Sequence, residues 1–249
     1  MTSKKKKLYE GKAKVLYSTD NSYCVIQHFK DEATAFNAKK KETIEGKGVL
    51  NNFLSEFFMQ KLNSINIPTH FIKRLNMREQ LVEKCEIIPL EVVVRNIAAG
   101  SLSKRLGIQE GTRLPRPIVE FYYKDDSLND PLVTESQITT FEWASETELG
   151  EIFEIALRTN DFLSGLLLAV DLTLVDFKIE IGRSLKSEGD KLIIADEISP
   201  DTCRLWDSKT KKRLDKDVFR LNKGSIAVAY TEVANRFDLL PKNVKSAVK

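Results

Sequence analysis

The chain has 249 residues, 42% of them hydrophobic, enough to build a substantial core in one large domain or two packed lobes. Lys and Arg number 39 against 36 Asp and Glu, and a net charge of +3 is too balanced for a nucleic-acid coat. Cys24, Cys85 and Cys203 are far apart and odd in number, so no disulfide framework is expected; with only His28 and His70, a histidine-rich zinc site is close to excluded.

The longest apolar stretch, 162–175, contains Asp171 and is too short to span a bilayer. The basic segment 1–7 is followed by no apolar run, so it does not read as a secretory signal. The expectation is a cytoplasmic protein with reduced thiols and neither a membrane nor a nucleic-acid partner.

In chain order, period-two alternation predicts strands over 8–17 and 23–29. Apolar residues at three- and four-residue spacing (Leu50, Phe53, Leu54, Phe57, Phe58, Leu62) predict a helix over 48–65. Segments 69–75 and 80–85 flank a turn at 76–79 and read as a hairpin. A second part starts near Ile87, with a β-branched strand at 91–96, a short helix at 102–106 closed by Gly107, and a strand at 118–124. A long amphipathic helix covers 146–169, two strands follow at 172–182 and 191–198, and a last helix covers 225–237. Strands dominate early and mix with helices later, which predicts an α+β protein of two lobes. The boundary falls at 1–86 and 87–249, and the cleft between the lobes is the expected ligand site.

Four segments carry candidate chemistry. On a strand, Asp176, Lys178 and Glu180 share one face, opposite Val175, Phe177, Ile179 and Ile181. A hairpin centred near 185–187 would place residue 176 beside residue 196. Asp176, Glu180 and Asp196 would then form either a solvated face balanced by Lys178 or an oxygen-donor site for Mg²⁺. The second segment, 196–207, holds a Ser-Pro-Asp turn, then Arg204, which suits either a phosphate or a local salt bridge to Asp201 or Asp207; Trp206 reads as a packing anchor. In the third, Arg95, Ser101 and Arg105 surround Gly100 at a helix start, fitting either a phosphate monoester or a plain N-cap with a surface charge. In the fourth, Gly11 interrupts an alternating run, with Lys12 and Lys14 on one face, so the backbone could approach nucleotide phosphates; it lacks the Walker A spacing.

Taken together these segments resemble the SAICAR synthetase (phosphoribosylaminoimidazole-succinocarboxamide synthase) family over nearly the whole chain. The resemblance is carried by IIPLEVVVRNIAAGS at 87–101 and LVDFKIEIG at 174–182, with Ile181 standing where the family usually has Phe. It implies a small N-terminal antiparallel sheet and a larger C-terminal α+β part, related to kinase and ATP-grasp folds. It implies an ATP-dependent carbon–nitrogen ligase of de novo purine synthesis, joining L-aspartate to the carboxylate of carboxyaminoimidazole ribonucleotide (CAIR) through an acyl phosphate, with Mg²⁺.

The family match places Gly11, Lys12, Ala13, Lys14 and Lys124 at the ATP phosphates and Val82, Glu83, Lys84 and Cys85 at adenine. It places Glu180 and Asp196 on Mg²⁺ and the ATP side, with Asp176 nearby on a second metal or on the substrate. It assigns Arg95, Ser101, Asp201, Arg204 and Arg220 to CAIR, with Asp201 ordering the Arg204 loop. Asp176 and Lys178 are the candidate catalytic residues, and the family suggests a homo-oligomer, a dimer favoured. The first alternative is a small-molecule kinase on the same scaffold; without HRD and DFG motifs a protein kinase is not expected. An RNA-binding module is the second alternative, disfavoured because no RRM aromatic motif or zinc knuckle is present.

Overall fold

The structure, a computed structural model, describes residues 3–35, 40–187 and 191–240. Its first sheet is antiparallel and contains β1 (Lys7–Glu10), β2 (Lys14–Ser18), β3 (Cys24–Phe29), β6 (Phe71–Arg74) and β7 (Glu79–Glu83), in the order β1-β2-β3-β7-β6. A two-stranded ribbon, β4 (Glu32–Ala35) and β5 (Lys40–Thr43), leads into helix α1 (Lys47–Asn63). The second sheet holds β8 (Cys85–Ile97), β9 (Arg113–Tyr123), β10 (Leu132–Val133), β11 (Leu172–Ser184) and β12 (Leu192–Ala195), in the order β10-β9-β8-β11-β12, with β13 (Cys203–Asp207) also paired to β11. The helices that complete it are α2 (Gly100–Leu106), α3 (Glu135–Thr140), α4 (Glu146–Leu168), α5 (Asp217–Arg220) and α6 (Ile226–Arg236). This is the α+β, antiparallel architecture expected from the sequence.

The run at 8–17 is two strands rather than one. The chain reverses at Gly11–Ala13, where the Gly11 N–H donates to the Lys14 carbonyl. Lys12 and Lys14 therefore part company: Lys12 is exposed at the hairpin tip, and Lys14 turns inward. The hairpin at 69–85 forms as read, with β6 paired to β7. Gly107 closes α2 in the left-handed conformation at φ 67°, the geometry that favours glycine.

α4 starts from a capping box in which the Ser145 hydroxyl accepts from the Glu148 N–H and the Glu148 carboxylate accepts from the Ser145 N–H. Its buried stripe, including Ile152, Ala156 and Leu163, packs with Val92, Phe177 and Ile179 of the second sheet. The same core takes in α1 through Leu50, Leu54, Phe58 and Leu62, although α1 lies among the first 86 residues, and α6 through Tyr230 and Val233. By contrast Cys24, Ile26 and Leu81 form a small separate cluster within the first sheet. Trp206 packs with Ala99 and Val175, the anchor role read for it.

β11 organises the second sheet because its two halves have different neighbours. Residues 172–177 pair with β13, and Glu180 to Arg183 pair with β12. Between the two, the Lys178 N–H donates to the Thr202 carbonyl, so the 196–202 turn fills the gap. Glu180 lies opposite Ala195, which overturns the 176–196 pairing: the turn is not centred on 185–187, and part of the connection lies outside the described residues. Asp176 instead sits between Arg95 on β8 and Arg204 on β13.

Candidate functional site

Between the two sheets lies a cavity of ≈ 1350 Å³. Every site residue expected from the sequence lines it, from Gly11, Lys12, Ala13 and Lys14 through Val82, Glu83, Lys84 and Cys85 to Arg220. The cavity has two differently charged ends, with β11 running between them.

One end pairs lysines with carboxylates. Lys14 contacts both Asp196 and Glu197, and Lys124 contacts Glu180. The Lys178 ammonium lies 2.8 Å from Glu91, 3.1 Å from Glu180 and 3.7 Å from Asp196. Glu180 and Asp196 thus come together around one ammonium, whereas Asp176 joins the other end. Burial would raise the Glu180 carboxyl, but Lys178, Lys124 and Lys14 hold it down at about 2. Burial, with Asp201 adding repulsion, pushes Asp196 up to about 7. Asp196 also adopts φ 66°, an unusual conformation for a residue other than glycine, at the end of β12.

Among the described residues no group of three or more His, Cys, Asp or Glu side chains has the arrangement of a metal centre. Glu180 and Asp196 offer two carboxylates beside a lysine-rich wall. That donor set fits Mg²⁺, which is held by one or two carboxylates together with the phosphates of a substrate.

The other end is built from guanidinium groups. Arg95 Nη1 donates to Asp176 Oδ2 at 3.0 Å, and Arg204 Nη1 donates to the same oxygen at 2.8 Å. Arg95 Nη2 donates to Ser101 Oγ at 3.0 Å. Ser101 is therefore not a helix cap: the N-cap position is Ala99, and no side chain caps α2. Arg204 Nε donates to Asp217 Oδ2 at 2.8 Å and Arg220 Nη1 to Asp217 Oδ1 at 2.6 Å, so Arg204 pairs with Asp176 and Asp217 instead of its sequence neighbours Asp201 and Asp207. Gly100, at φ 55°, is pressed against this arginine, and a Cβ there would lie 2.5 Å from Arg204 Nη2.

Asp201 serves as a buried peg for the turn. Its Oδ2 accepts from the Lys47 ammonium and from Asn51 Nδ2 at 2.7 Å, and its Oδ1 accepts from Tyr230 Oη at 2.7 Å. Burial opposes ionisation of Asp201, yet Lys216 and Lys47 hold its carboxyl below the usual range. The partners come from α1 and α6, far away in sequence, and no local pattern could have revealed them.

Sequence reasoning also missed Gln27, Glu91, Tyr122, Glu197 and Lys216, all of which line the cavity. It missed His70 as well, which is buried beside the Lys14–Asp196 end. Its Nε2 has no partner among the described residues, and burial pushes its pKa down to about 4.

Two antiparallel sheets around a cavity with one lysine–carboxylate end and one guanidinium end define an α+β enzyme that handles phosphorylated reactants. A sequence profile of the SAICAR synthetase family matches residues 7–237. The chain is 63% identical over 247 residues to the phosphoribosylaminoimidazole-succinocarboxamide synthase of Dinoroseobacter shibae, covering 99% of this chain and 98% of that protein. It superposes on the Ehrlichia chaffeensis synthase crystal structure with a TM-score of 0.93 at 54% identity, covering 95% of this chain and 100% of the other. A type-2 SAICAR synthetase in complex with ADP matches with a TM-score of 0.88 at 49% identity, over 92% of this chain and 96% of the other.

The chain belongs to the SAICAR synthetase family. It is an ATP-dependent ligase of purine biosynthesis, and the small-molecule kinase reading is not favoured. Among the described residues no helix is long and apolar enough to cross a membrane.

Proposed function

We propose that the lysine–carboxylate end receives the ATP phosphates and the guanidinium end receives CAIR, so that the CAIR carboxylate meets the γ-phosphate near Lys178. The observation that carries this reading is the charge pairing along β11. Each lysine of the first end rests on a carboxylate, and Arg95 and Arg204 share Asp176. Polyanionic reactants would exchange partners with these pairs: phosphate oxygens would take the cations, leaving Glu180 and Asp196 as the residues that would hold Mg²⁺. A relative solved in complex with ADP supports nucleotide binding by this chain.

A carboxylate is a poor acyl donor because its leaving group would be oxide. The CAIR carboxylate oxygen attacks the γ-phosphorus, the bond to the ADP oxygen breaks, and an acyl phosphate forms. The aspartate amine then attacks the carbonyl carbon, the C–N bond forms, phosphate leaves, and the amine proton passes to solvent. Phosphoryl transfer needs positioning and charge neutralisation more than covalent help from the protein. Lys14, Lys124 and Lys178 supply that positive charge, and Arg95, Ser101 and Arg204 hold the ribotide phosphate. Mg²⁺ held by Glu180 and Asp196 would neutralise phosphate charge when bound. Val82 to Cys85 lie where the first sheet meets the second, as an adenine site between lobes 1–86 and 87–249 requires. A cytoplasmic location and a homodimer rest on the family resemblance.

The test is ADP release with CAIR, run with and without L-aspartate. A ligase gives SAICAR only with aspartate, whereas a kinase would release ADP to completion without it. Arg95→Ala should raise the KM for CAIR by roughly ten- to a hundredfold, the effect of losing a charged hydrogen-bonding partner, while the KM for ATP stays within about twofold. Equal losses for both ligands would remove Arg95 from the ribotide end.

A further inference from the structure

We infer that Glu120 is a positioning residue for the ribotide end: its carboxylate fixes the guanidinium of Arg95 from behind. This rests on the reading that Arg95 and Ser101 hold the ribotide phosphate. Glu120 stands on β9, one strand away from Arg95, is 8% exposed, and is not among the residues lining the cavity.

Three donors converge on it. Arg95 Nε donates to Oε2 at 2.7 Å, Tyr122 Oη donates to the same oxygen at 2.8 Å, and Arg105 Nη2 donates to Oε1. Tyr122 Oη in turn accepts from Arg95 Nη2 at 3.1 Å and from Arg105 Nη1 at 3.2 Å. Burial opposes the charge on Glu120, but Arg95, Tyr122 and Arg105 keep its carboxyl below the ordinary range.

The geometry explains what the acid does. An arginine has a fork with several rotatable approaches, and its value in gripping a phosphate depends on being held in one of them. Glu120 occupies the Nε edge and Asp176 one Nη1 hydrogen, which turns the Nη2 side toward Ser101 and the cavity. Arg105, which sequence alone left open between phosphate ligand and surface charge, instead adds a second cation to Glu120, behind the larger effect of Arg95. Without Glu120, two guanidiniums would meet across Tyr122 with no carboxylate between them.

The experiment measures KM for CAIR and for ATP separately in Glu120→Gln, Glu120→Asp and Arg95→Ala. Replacing the charged acceptor by a neutral one should raise the CAIR KM about tenfold in E120Q, with the ATP KM and kcat within about twofold. E120D keeps the charge and should bring the CAIR KM back to within about threefold of the parent. A parallel rise in both KM values, or no rescue by E120D, identifies general structural support and overturns the proposal. An unchanged CAIR KM in E120Q beside a raised one in R95A overturns the role of Glu120 and leaves the ribotide reading intact. An unchanged CAIR KM in R95A overturns that reading itself. If E120Q does not yield folded protein, Tyr122→Phe removes the hydroxyl shared by all three groups and should raise the CAIR KM about two- to fourfold, the loss of one neutral hydrogen bond; no change overturns the proposal.

Discussion

The two sheets face the same cavity and are built on different terms. The first ends in β1, exposed at all four residues and paired to one neighbour, and its separate cluster is only Cys24, Ile26 and Leu81 with Tyr17 and Leu75 against it. The second centres on β11, which is buried along most of its length and paired to β8, β12 and β13. What the first sheet brings to the cavity is a hairpin tip, one inward lysine and the β7 edge at Val82 and Glu83. The second brings an interlocked set of charges whose partners are already in place. The comparison teaches where cost is borne: the polar groups of the second sheet are desolvated at folding, so less reorganisation remains at binding.

The contrast can be broken experimentally. Lys47→Met removes the ammonium bonded to Asp201 and leaves the buried carboxylate only the more distant Lys216, a loss of about 3 kcal/mol. Thermal unfolding should drop by about 10 °C or more. A small shift would show that the peg under the second sheet carries little. Asp196→Asn should leave the melting temperature nearly unchanged and cut Mg²⁺-dependent turnover about a hundredfold, as expected for a charged ligand at the reacting phosphates. Near-parental turnover would take Asp196 out of the metal site.

Smaller effects sharpen the picture. Lys12 sits at the exposed tip and pairs with Asp126, so Lys12→Ala should raise the ATP KM by only about twofold to fivefold and leave stability alone, as exposed pairs do. A loss as large as that of D196N would make the first sheet an equal partner.

The smallest effect concerns Glu148, held at about 2 by its hydrogen bonds from Arg183 and the α4 cap. Its folded pKa lies below its ordinary 4.5, so its contribution is present above pH 4.5 and is lost as pH falls toward 2. Acid unfolding of Glu148→Gln should lack that part of the slope and match the parent's slope above pH 5.

Long elements with strong periodicity were legible in the sequence, α4, β11 and the 91–96 half of β8, as was the short helix that Gly107 closes. The 11–13 turn was not, because a single glycine breaking an alternating run fits a backbone approach to a ligand as well as it fits a chain reversal. β13 is hidden in the sequence because it is five residues long, follows a Ser-Pro-Asp turn and carries the charges of Arg204 and Asp207. β4 and β5 are too polar (Glu32, Thr34, Lys40, Lys41 and Glu42) to announce themselves. Much of the cavity lining was readable through the family motifs, but Gln27, His70, Tyr122 and Lys216, outside those motifs, were not. Partnerships were not: Asp176 with two arginines, Glu120 behind Arg95 and Lys47 beneath Asp201 are contacts between distant segments, and register decides them.

The peg under the turn ties catalysis to the end of the chain. Asp201 is gripped by Lys47 from α1 and by Tyr230 from α6, with Lys216 3.8 Å away. The turn between Asp196 and Arg204 is thus held from both α1 and α6. Loosening either helix from Asp201 would loosen the span joining the two charged ends of the cavity, so both ends share one anchor.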